Sequence, residues 1–243
     1  MSYTVLTITA RPDEITADKS ETLRYLGYKN KTPTENEIEL IDECEKELKT
    51  VISPKCCYVY TDILSISEST VDMGFGEVNS KNLAKHLKGC RGVYLFAATI
   101  GIGADRLISK YKVLKPWKSV IIDALSSAAV EDWCDKAELR ITGGRSDRCS
   151  RFSPGYGDFS LLYQRDFMTY LDMNRQLGIT LSDSLLMTPT KSVTAVIGIG
   201  AANRVCGNKC NSCENKTCVY ATRGGHAAGM RRACARKQYA HVV

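Results

Sequence analysis

The loop at 151–158 reads Arg151-Phe152-Ser153-Pro154-Gly155-Tyr156-Gly157-Asp158. Proline fixes one backbone angle and glycine permits a left-handed one, so Pro154-Gly155 predicts a tight, defined turn. The guanidinium of Arg151 can hold a carboxylate through two parallel hydrogen bonds. The ring of Tyr156 can attract a cationic centre such as a sulfonium. The loop therefore fits a positively charged amino-acid ligand, although an ordinary surface turn has a similar composition.

Regular elements are predicted on both sides of this loop. A long apolar helix from Pro116 to about residue 137 precedes it, and a second long helix over 160–177 follows it. Further elements are strands at 5–9, 57–64, 93–98 and 192–199 and helices at 33–51, 80–87 and 104–111. Helices and strands mix without a regular βαβ alternation, which favours an α+β fold with a mixed or antiparallel central sheet flanked by helices.

Composition limits the class of protein. The chain has 243 residues, of which 44% are hydrophobic and 25% are charged, as in ordinary globular proteins. No apolar run approaches the roughly 20 residues needed to span a bilayer, and the N-terminus lacks the pattern of a signal peptide, so we expect a cytoplasmic protein. Five of the six net positive charges lie after residue 222. This leaves the remainder nearly neutral and argues against nucleic-acid binding.

The order and spacing of several motifs resemble those of one family. Arg151, Gly155 and Tyr156 match an Arg-x-x-x-Gly-Tyr motif of the activation domain of cobalamin-dependent methionine synthase. The family's aromatic pair after its last strand is replaced here by Ala-Ala-Asn-Arg at 201–204. The resemblance covers residues 1–200, most specifically 150–195. Three later motifs also match: Gly178-Ile179-Thr180-Leu181-Ser182, Met187-Thr188-Pro189 and Ser192-Val193.

This resemblance implies a fold like that of the activation domain and a site for S-adenosylmethionine. It implies that Arg151 holds the methionine carboxylate and that Glu131 is a polar contact from the preceding helix. Tyr156 is the residue that the resemblance places closest to a catalytic role. The remaining ligand loop consists of Ser153, Pro154 and Gly155.

The resemblance also implies a reaction. In the family, S-adenosylmethionine donates a methyl group to cobalamin that has lapsed into the inactive cob(II) state, after a reductant has supplied one electron. The cobalamin is presented by a separate module of a methionine synthase or another corrinoid protein. The expected role is that of a reactivation factor in such a methyltransferase system, with flavodoxin or ferredoxin as a possible electron donor.

A cysteine cluster follows the region of resemblance. The chain has eleven cysteines, and Cys206, Cys210, Cys213 and Cys218 fall close together in a loop rich in Gly, Asn and Ser. Four thiolates fit either tetrahedral zinc or a [4Fe–4S] cluster. The predicted organisation is an activation-like domain over 1–200, a metal- or cluster-binding loop over 201–221 and a basic tail over 222–243. An alternative function is a non-catalytic metal-binding or iron–sulfur adaptor that passes electrons to a corrinoid protein.

Overall fold

The computed structural model describes residues 3–28 and 31–200. The largest sheet has four strands in the order β1-β2-β6-β9. In chain order the strands are β1 (Leu6–Thr9), β2 (Lys55–Asp62), β3 (Ser65–Ile66), β4 (Thr70–Asp72), β5 (Glu77–Asn79), β6 (Gly92–Thr99), β7 (Thr180–Leu181), β8 (Met187–Thr188) and β9 (Ser192–Ile199). The helices are α1 (Lys19–Tyr25), α2 (Glu35–Lys49), α3 (Lys81–Leu87), α4 (Ile102–Leu114), α5 (Pro116–Thr142), α6 (Gln164–Tyr170) and α7 (Met173–Leu177).

The four-stranded sheet is antiparallel. β1 pairs with β2 in the register Leu6 opposite Tyr58 and Thr9 opposite Lys55. At the two ends of β9, the Arg91 amide donates to the Ile199 carbonyl and the Ile100 amide donates to the Lys191 carbonyl. Because residue numbers rise along β6 as they fall along its partner β9, these two strands are antiparallel. The architecture is α+β, with antiparallel sheets flanked by helices, as the sequence predicts.

The chain divides into two compact units, each built from several segments. Among the described residues, the first unit contains 3–28, 31–58, 97–143 and 171–193, and the second contains 59–96, 144–170 and 194–200. The predicted boundaries at residues 200 and 221 concern residues beyond the described part, and they stay a prediction. No helix in the described ranges combines the length and apolar character needed to cross a membrane.

Helices dominate the first unit. Helix α2 begins at a capping box in which Thr34 and Glu37 satisfy each other's backbone N–H groups. It therefore starts two residues after Pro33, later than the sequence predicts. Helix α5 begins with Pro116 and ends at Gly143, whose φ of +60° suits a glycine after a helix. Because most of its residues between 122 and 138 are buried, α5 forms much of the core of this unit.

A charged cluster around a buried lysine joins α2, α4 and α5 within the first unit. The Lys118 ammonium lies 2.7 Å from Glu47 and 3.0 Å from Glu43, and the side chain of Lys118 is only 5% exposed. The Tyr111 hydroxyl donates to Glu47 at 2.7 Å. Burial raises the pKa of Glu47, but the hydrogen bonds from Lys118 and Tyr111 outweigh it and leave the pKa below its usual value.

The second unit contains a three-stranded antiparallel sheet in the order β3-β4-β5. Helix α3 follows it and is capped by Ser80, as the sequence predicts. Gly92 begins β6 where a β-carbon would lie 2.1 Å from the Tyr60 hydroxyl, so no other residue fits there without moving that ring.

The long helix predicted over 160–177 is wrong. The chain forms a short 3-10 turn at Leu161–Tyr163 and then two separate helices, α6 and α7. Asp172 lies between α6 and α7 with a left-handed φ of +46°, which breaks the helical hydrogen-bond ladder. Helix α6 belongs to the second unit and α7 to the first.

We expect Glu47→Gln to lower the free energy of unfolding at pH 7 by about 1 kcal/mol, because two charge-assisted hydrogen bonds lose their anionic acceptor. The pKa of Glu47 is lowered in the folded state, so this stabilisation is present above the unfolded pKa and is lost as pH falls. Urea unfolding at pH 7 and below about pH 4 measures the difference. Glu39→Gln, on an exposed position of α2, is the control; a gap that persists unchanged in acid contradicts the prediction.

Candidate functional site

The predicted ligand loop is preceded by a segment, residues 147–152, that pairs with β9. The amides and carbonyls of Phe152 and Val196 exchange two hydrogen bonds, at 2.9 and 2.8 Å. Nearer the end of β9, the Cys149 amide donates to the Gly198 carbonyl at 2.7 Å and the Gly200 amide donates to the Asp147 carbonyl at 2.9 Å. Residues 147–152 therefore extend the sheet beyond β9, and this pairing fixes where the loop begins.

The Pro154-Gly155 turn is present and is fastened by backbone hydrogen bonds. Gly155 has a φ of +93°, which glycine adopts without strain. The Tyr156 amide donates to the Ser153 carbonyl at 3.1 Å, and the Gly155 amide donates to the Phe159 carbonyl at 2.7 Å. The Phe159 amide in turn donates to the Tyr156 carbonyl at 2.8 Å. The turn predicted from the proline–glycine pair is confirmed as a defined bend.

The polar side chains of the bend are buried. Arg151 is 8% exposed, Ser153 is 2% exposed and Tyr156 is 4% exposed. Because successive residues of an extended segment point to opposite sides, Arg151 and Ser153 lie on the side away from Phe152. A guanidinium with so little exposure is strongly attracted to anionic and carbonyl groups, since it has lost most of its water.

Aromatic rings support the bend from the Phe152 side. Phe152 meets Tyr156 edge-on with ring centroids 5.7 Å apart, and Phe159 stacks on it at 6.2 Å. His86, on α3, lies 4.9 Å from the Phe152 ring, and its Nε2 forms a 2.8 Å hydrogen bond with the Ser150 carbonyl. These contacts hold the Tyr156 ring in one position, which is the condition for using it as a binding surface.

Asp158 ties the end of the loop to the start of α3. Its carboxylate accepts hydrogen bonds from the Ser80 hydroxyl at 2.5 Å and from the Lys81 and Asn82 amides at 2.8 and 3.1 Å. Burial raises the pKa of Asp158, but these hydrogen bonds outweigh it and hold the pKa below its usual value. Sequence reasoning gave Asp158 no role, because its partners lie more than seventy positions earlier in the chain.

Thr194 is a second residue that sequence reasoning missed. It lies on β9, two residues before Val196, which pairs with Phe152. The residue is fully buried, and no hydrogen-bond partner for its hydroxyl lies among the described residues. A buried hydroxyl without a partner costs roughly 1–3 kcal/mol, so such groups often mark a ligand contact. The alternating sequence pattern of a strand does not indicate which buried hydroxyl lacks a hydrogen-bond partner.

Glu131, the other predicted contact, lies on α5 in the first unit and is 3% exposed. The structure brings Arg151, Ser153, Pro154, Gly155 and Tyr156 together in one bend of the second unit. The role of Glu131 as a ligand contact and the ligand role of the bend both stay predictions.

The predicted metal ligands, Cys206, Cys210, Cys213 and Cys218, lie outside the described residues. Among the residues that the structure does describe, no group of three or more potential ligands could hold a metal ion. The six cysteines in that part are buried, as predicted for small apolar groups: Cys44, Cys56, Cys57, Cys90, Cys134 and Cys149. Burial raises the pKa of Cys57 to about 12, which keeps its thiol protonated.

We expect Asp158→Ala to lower the free energy of unfolding by about 1 kcal/mol at pH 7, because the first amides of α3 lose a capping acceptor. The folded-state pKa of Asp158 is lowered, so its contribution is present above the unfolded pKa and disappears as pH falls through the folded value. Thermal unfolding at pH 7 and below about pH 3.5 measures this. Asp166→Ala, an exposed carboxylate on α6, is the control; equal losses in both variants would remove the capping role.

Comparison with known proteins supports the fold. No protein-family model and no curated protein matches this chain. Among solved structures, the chain is similar to the MetH reactivation domain bound to AdoHcy, with a TM-score of 0.61 and 13% sequence identity. The match covers 83% of this chain and 80% of that chain. The predicted fold is therefore confirmed: this chain has an α+β fold similar to that of the MetH reactivation domain.

Proposed function

We propose that this chain binds S-adenosylmethionine at the bend formed by residues 151–156 and acts as a reactivation factor for a cobalamin-dependent methyltransferase of the methionine synthase type. The observation that supports this most is the buried Arg151 guanidinium at the base of a fixed proline–glycine bend. The solved neighbour of the same fold is bound to AdoHcy, which shares the amino acid and the nucleoside of the proposed ligand.

Arg151 would hold the carboxylate of the methionine portion. A guanidinium has five N–H donors in a planar fork, so two can bind the ligand while others bind protein groups. With 8% of the residue exposed, little water competes for these hydrogen bonds. A lysine ammonium cannot make the two parallel hydrogen bonds, which is why the arginine itself matters.

The bend fits the rest of the ligand. The Ser153 hydroxyl and the Gly155 carbonyl are the proposed polar contacts near Arg151, and the ring of Tyr156 can face a sulfonium. The hydroxyl of Thr194 on β9, which has no hydrogen-bond partner among the described residues, adds a polar group that a ligand amine or ribose could satisfy. The residues present therefore suit a molecule that is charged at one end and polar along its length.

When bound, S-adenosylmethionine supplies the methyl group that the proposed reaction transfers to cobalamin. The residues of this chain bind and orient the donor, and the Tyr156 ring, which packs edge-on against Phe152, is the proposed group nearest the sulfonium. The proposed partner is a corrinoid protein that presents cobalamin, and a reductant such as flavodoxin or ferredoxin would supply the electron. The iron–sulfur or zinc site at Cys206, Cys210, Cys213 and Cys218 stays a prediction.

Arg151→Ala should weaken S-adenosylmethionine binding by at least about tenfold, because a charge-assisted pair of hydrogen bonds is lost. Arg151→Lys should fall between this variant and the unmodified chain. Isothermal titration calorimetry measures the dissociation constants, with Arg165→Ala, an exposed arginine on α6, as the matched control.

A second ligand distinguishes loss of the carboxylate contact from damage to the loop. 5′-Methylthioadenosine has the nucleoside and the sulfur but no carboxylate, so Arg151→Ala should leave its affinity unchanged. Equal losses for both ligands would mean that the substitution damages the loop rather than the carboxylate contact. No binding of either ligand by the unmodified chain would overturn the proposed function. If binding holds, adding the chain to a cob(II)alamin-loaded corrinoid protein with a reductant should restore methylcobalamin, seen in the visible spectrum.

Thr194→Val should separate a ligand contact from a structural role. Valine has nearly the same shape and removes a buried hydroxyl that has no partner in the part of the chain that the structure describes, so the unliganded protein should become no less stable. S-adenosylmethionine binding should weaken about fivefold if the hydroxyl serves the ligand. Ser126→Ala removes a comparable buried hydroxyl on α5 and serves as the control. Unchanged affinity in Thr194→Val would exclude Thr194 from the site.

A further inference from the structure

Two thiols face each other next to the segment that leads into the bend. The sulfur atoms of Cys90 and Cys149 lie 3.6 Å apart, and both residues belong to the second unit. Cys90 follows α3 and precedes β6, whereas Cys149 belongs to the segment that pairs with β9. The two residues are 59 positions apart in the chain, so only the fold brings them together.

The backbone holds both cysteines in place. The Cys149 amide donates to the Gly198 carbonyl at 2.7 Å, and the Arg91 amide, next to Cys90, donates to the Ile199 carbonyl at 2.9 Å. Neighbouring residues of β9 therefore position both cysteines, one from each side of the strand. A disulfide needs its sulfurs about 2 Å apart, so side-chain rotation must close roughly 1.5 Å.

Gly198 makes room for the two sulfurs. A β-carbon at this position would lie 2.6 Å from the Cys90 sulfur and 3.4 Å from the Cys149 β-carbon. Any larger residue would push the Cys90 thiol away from its present position. A glycine inside a fully buried strand weakens that strand, and here it leaves space for the sulfur pair.

We propose that Cys90 and Cys149 form an oxidisable dithiol, a modification site whose oxidant is hydrogen peroxide or a related small peroxide. Cys90 is 9% exposed and Cys149 only 1%, so Cys90 reacts first. The Cys90 thiol loses its proton and the thiolate attacks one peroxide oxygen; the O–O bond breaks, a sulfenic acid forms, and the departing hydroxide takes up the released proton to give water. The Cys149 thiol then loses its proton and its thiolate attacks the Cys90 sulfur; the S–O bond breaks, the disulfide forms, and the departing hydroxide takes up that proton to give a second water. Two thiols are oxidised and one peroxide is reduced.

The disulfide would reach the proposed ligand bend. Cys149 precedes Arg151 by two residues, and the bend is already fastened to the start of α3 through Asp158. A second attachment, this one a covalent bond just after the end of α3, would constrain the base of the bend and shift the guanidinium. This consequence rests on the proposed function: oxidation should weaken S-adenosylmethionine binding by at least about tenfold.

Trypsin sites flank both cysteines, so a disulfide between them can be detected by mass spectrometry of a digest. Trypsin cleaves after Lys88 and Arg91, and after Arg148 and Arg151, which releases the tripeptides Gly-Cys-Arg and Cys-Ser-Arg. The full chain is reduced, freed of reductant, treated with peroxide, alkylated and digested without reductant. Mass spectrometry should find the two tripeptides joined and two hydrogen atoms lighter than their sum. Reduction before alkylation should abolish the joined peptide.

Variants separate this pair from the other cysteines. Cys90→Ala and Cys149→Ala should each abolish the joined peptide, whereas Cys134→Ala, a buried cysteine on α5, should leave it unchanged. Circular dichroism checks that each variant is folded. Absence of the joined peptide from the folded, oxidised chain would overturn the proposal.

The S-adenosylmethionine binding measurement and the mass spectrometry test different parts of the proposal. A joined peptide together with tighter or unchanged S-adenosylmethionine binding would retain the modification site and reject its effect on the bend. A joined peptide in a chain that binds no S-adenosylmethionine when reduced would reject the proposed function and leave the dithiol in place.

Discussion

The pairing of residues 147–152 with β9 is the constraint on which the candidate site depends. Two hydrogen bonds between Phe152 and Val196 fix the direction in which the chain enters the bend. The bend can then place Arg151 in a buried position, and Asp158 can reach the first amides of α3. The hydrogen bonds of the proline–glycine turn join only residues of the turn itself. They define its local conformation, but without the pairing with β9 they would not fix its position in the fold.

Much of the fold could be predicted because its large elements have strong local signals. The apolar run before Thr99, the apolar strand that begins at Ser192 and the helix that begins at Pro116 all occur as the sequence indicates. Strands β3, β4 and β5 contain two or three residues each, too few for an alternating pattern. The break at Asp172 was missed because an aspartate inside a helical pattern gives no warning of a left-handed backbone.

The candidate site could be predicted in part. The Pro154-Gly155 pair predicts its own bend, since proline and glycine restrict and permit backbone angles locally. The roles of Asp158 and Thr194 depend on partners brought near by folding, so no local pattern contains them. The pairing of Cys90 with Cys149 is of the same kind, because it depends on the register of both chain segments against β9.

The segment beside β9 also has a protective effect. An uncovered strand edge presents a row of amides and carbonyls that can recruit another chain and start aggregation. Strand β9 is last in the sheet order, yet all eight of its residues are buried, and residues 147–152 occupy part of its outer edge. A ligand that displaced residues 147–152 from β9 would expose a strand edge that can pair with another chain. Binding at the bend is therefore compatible with solubility only when the segment stays in place.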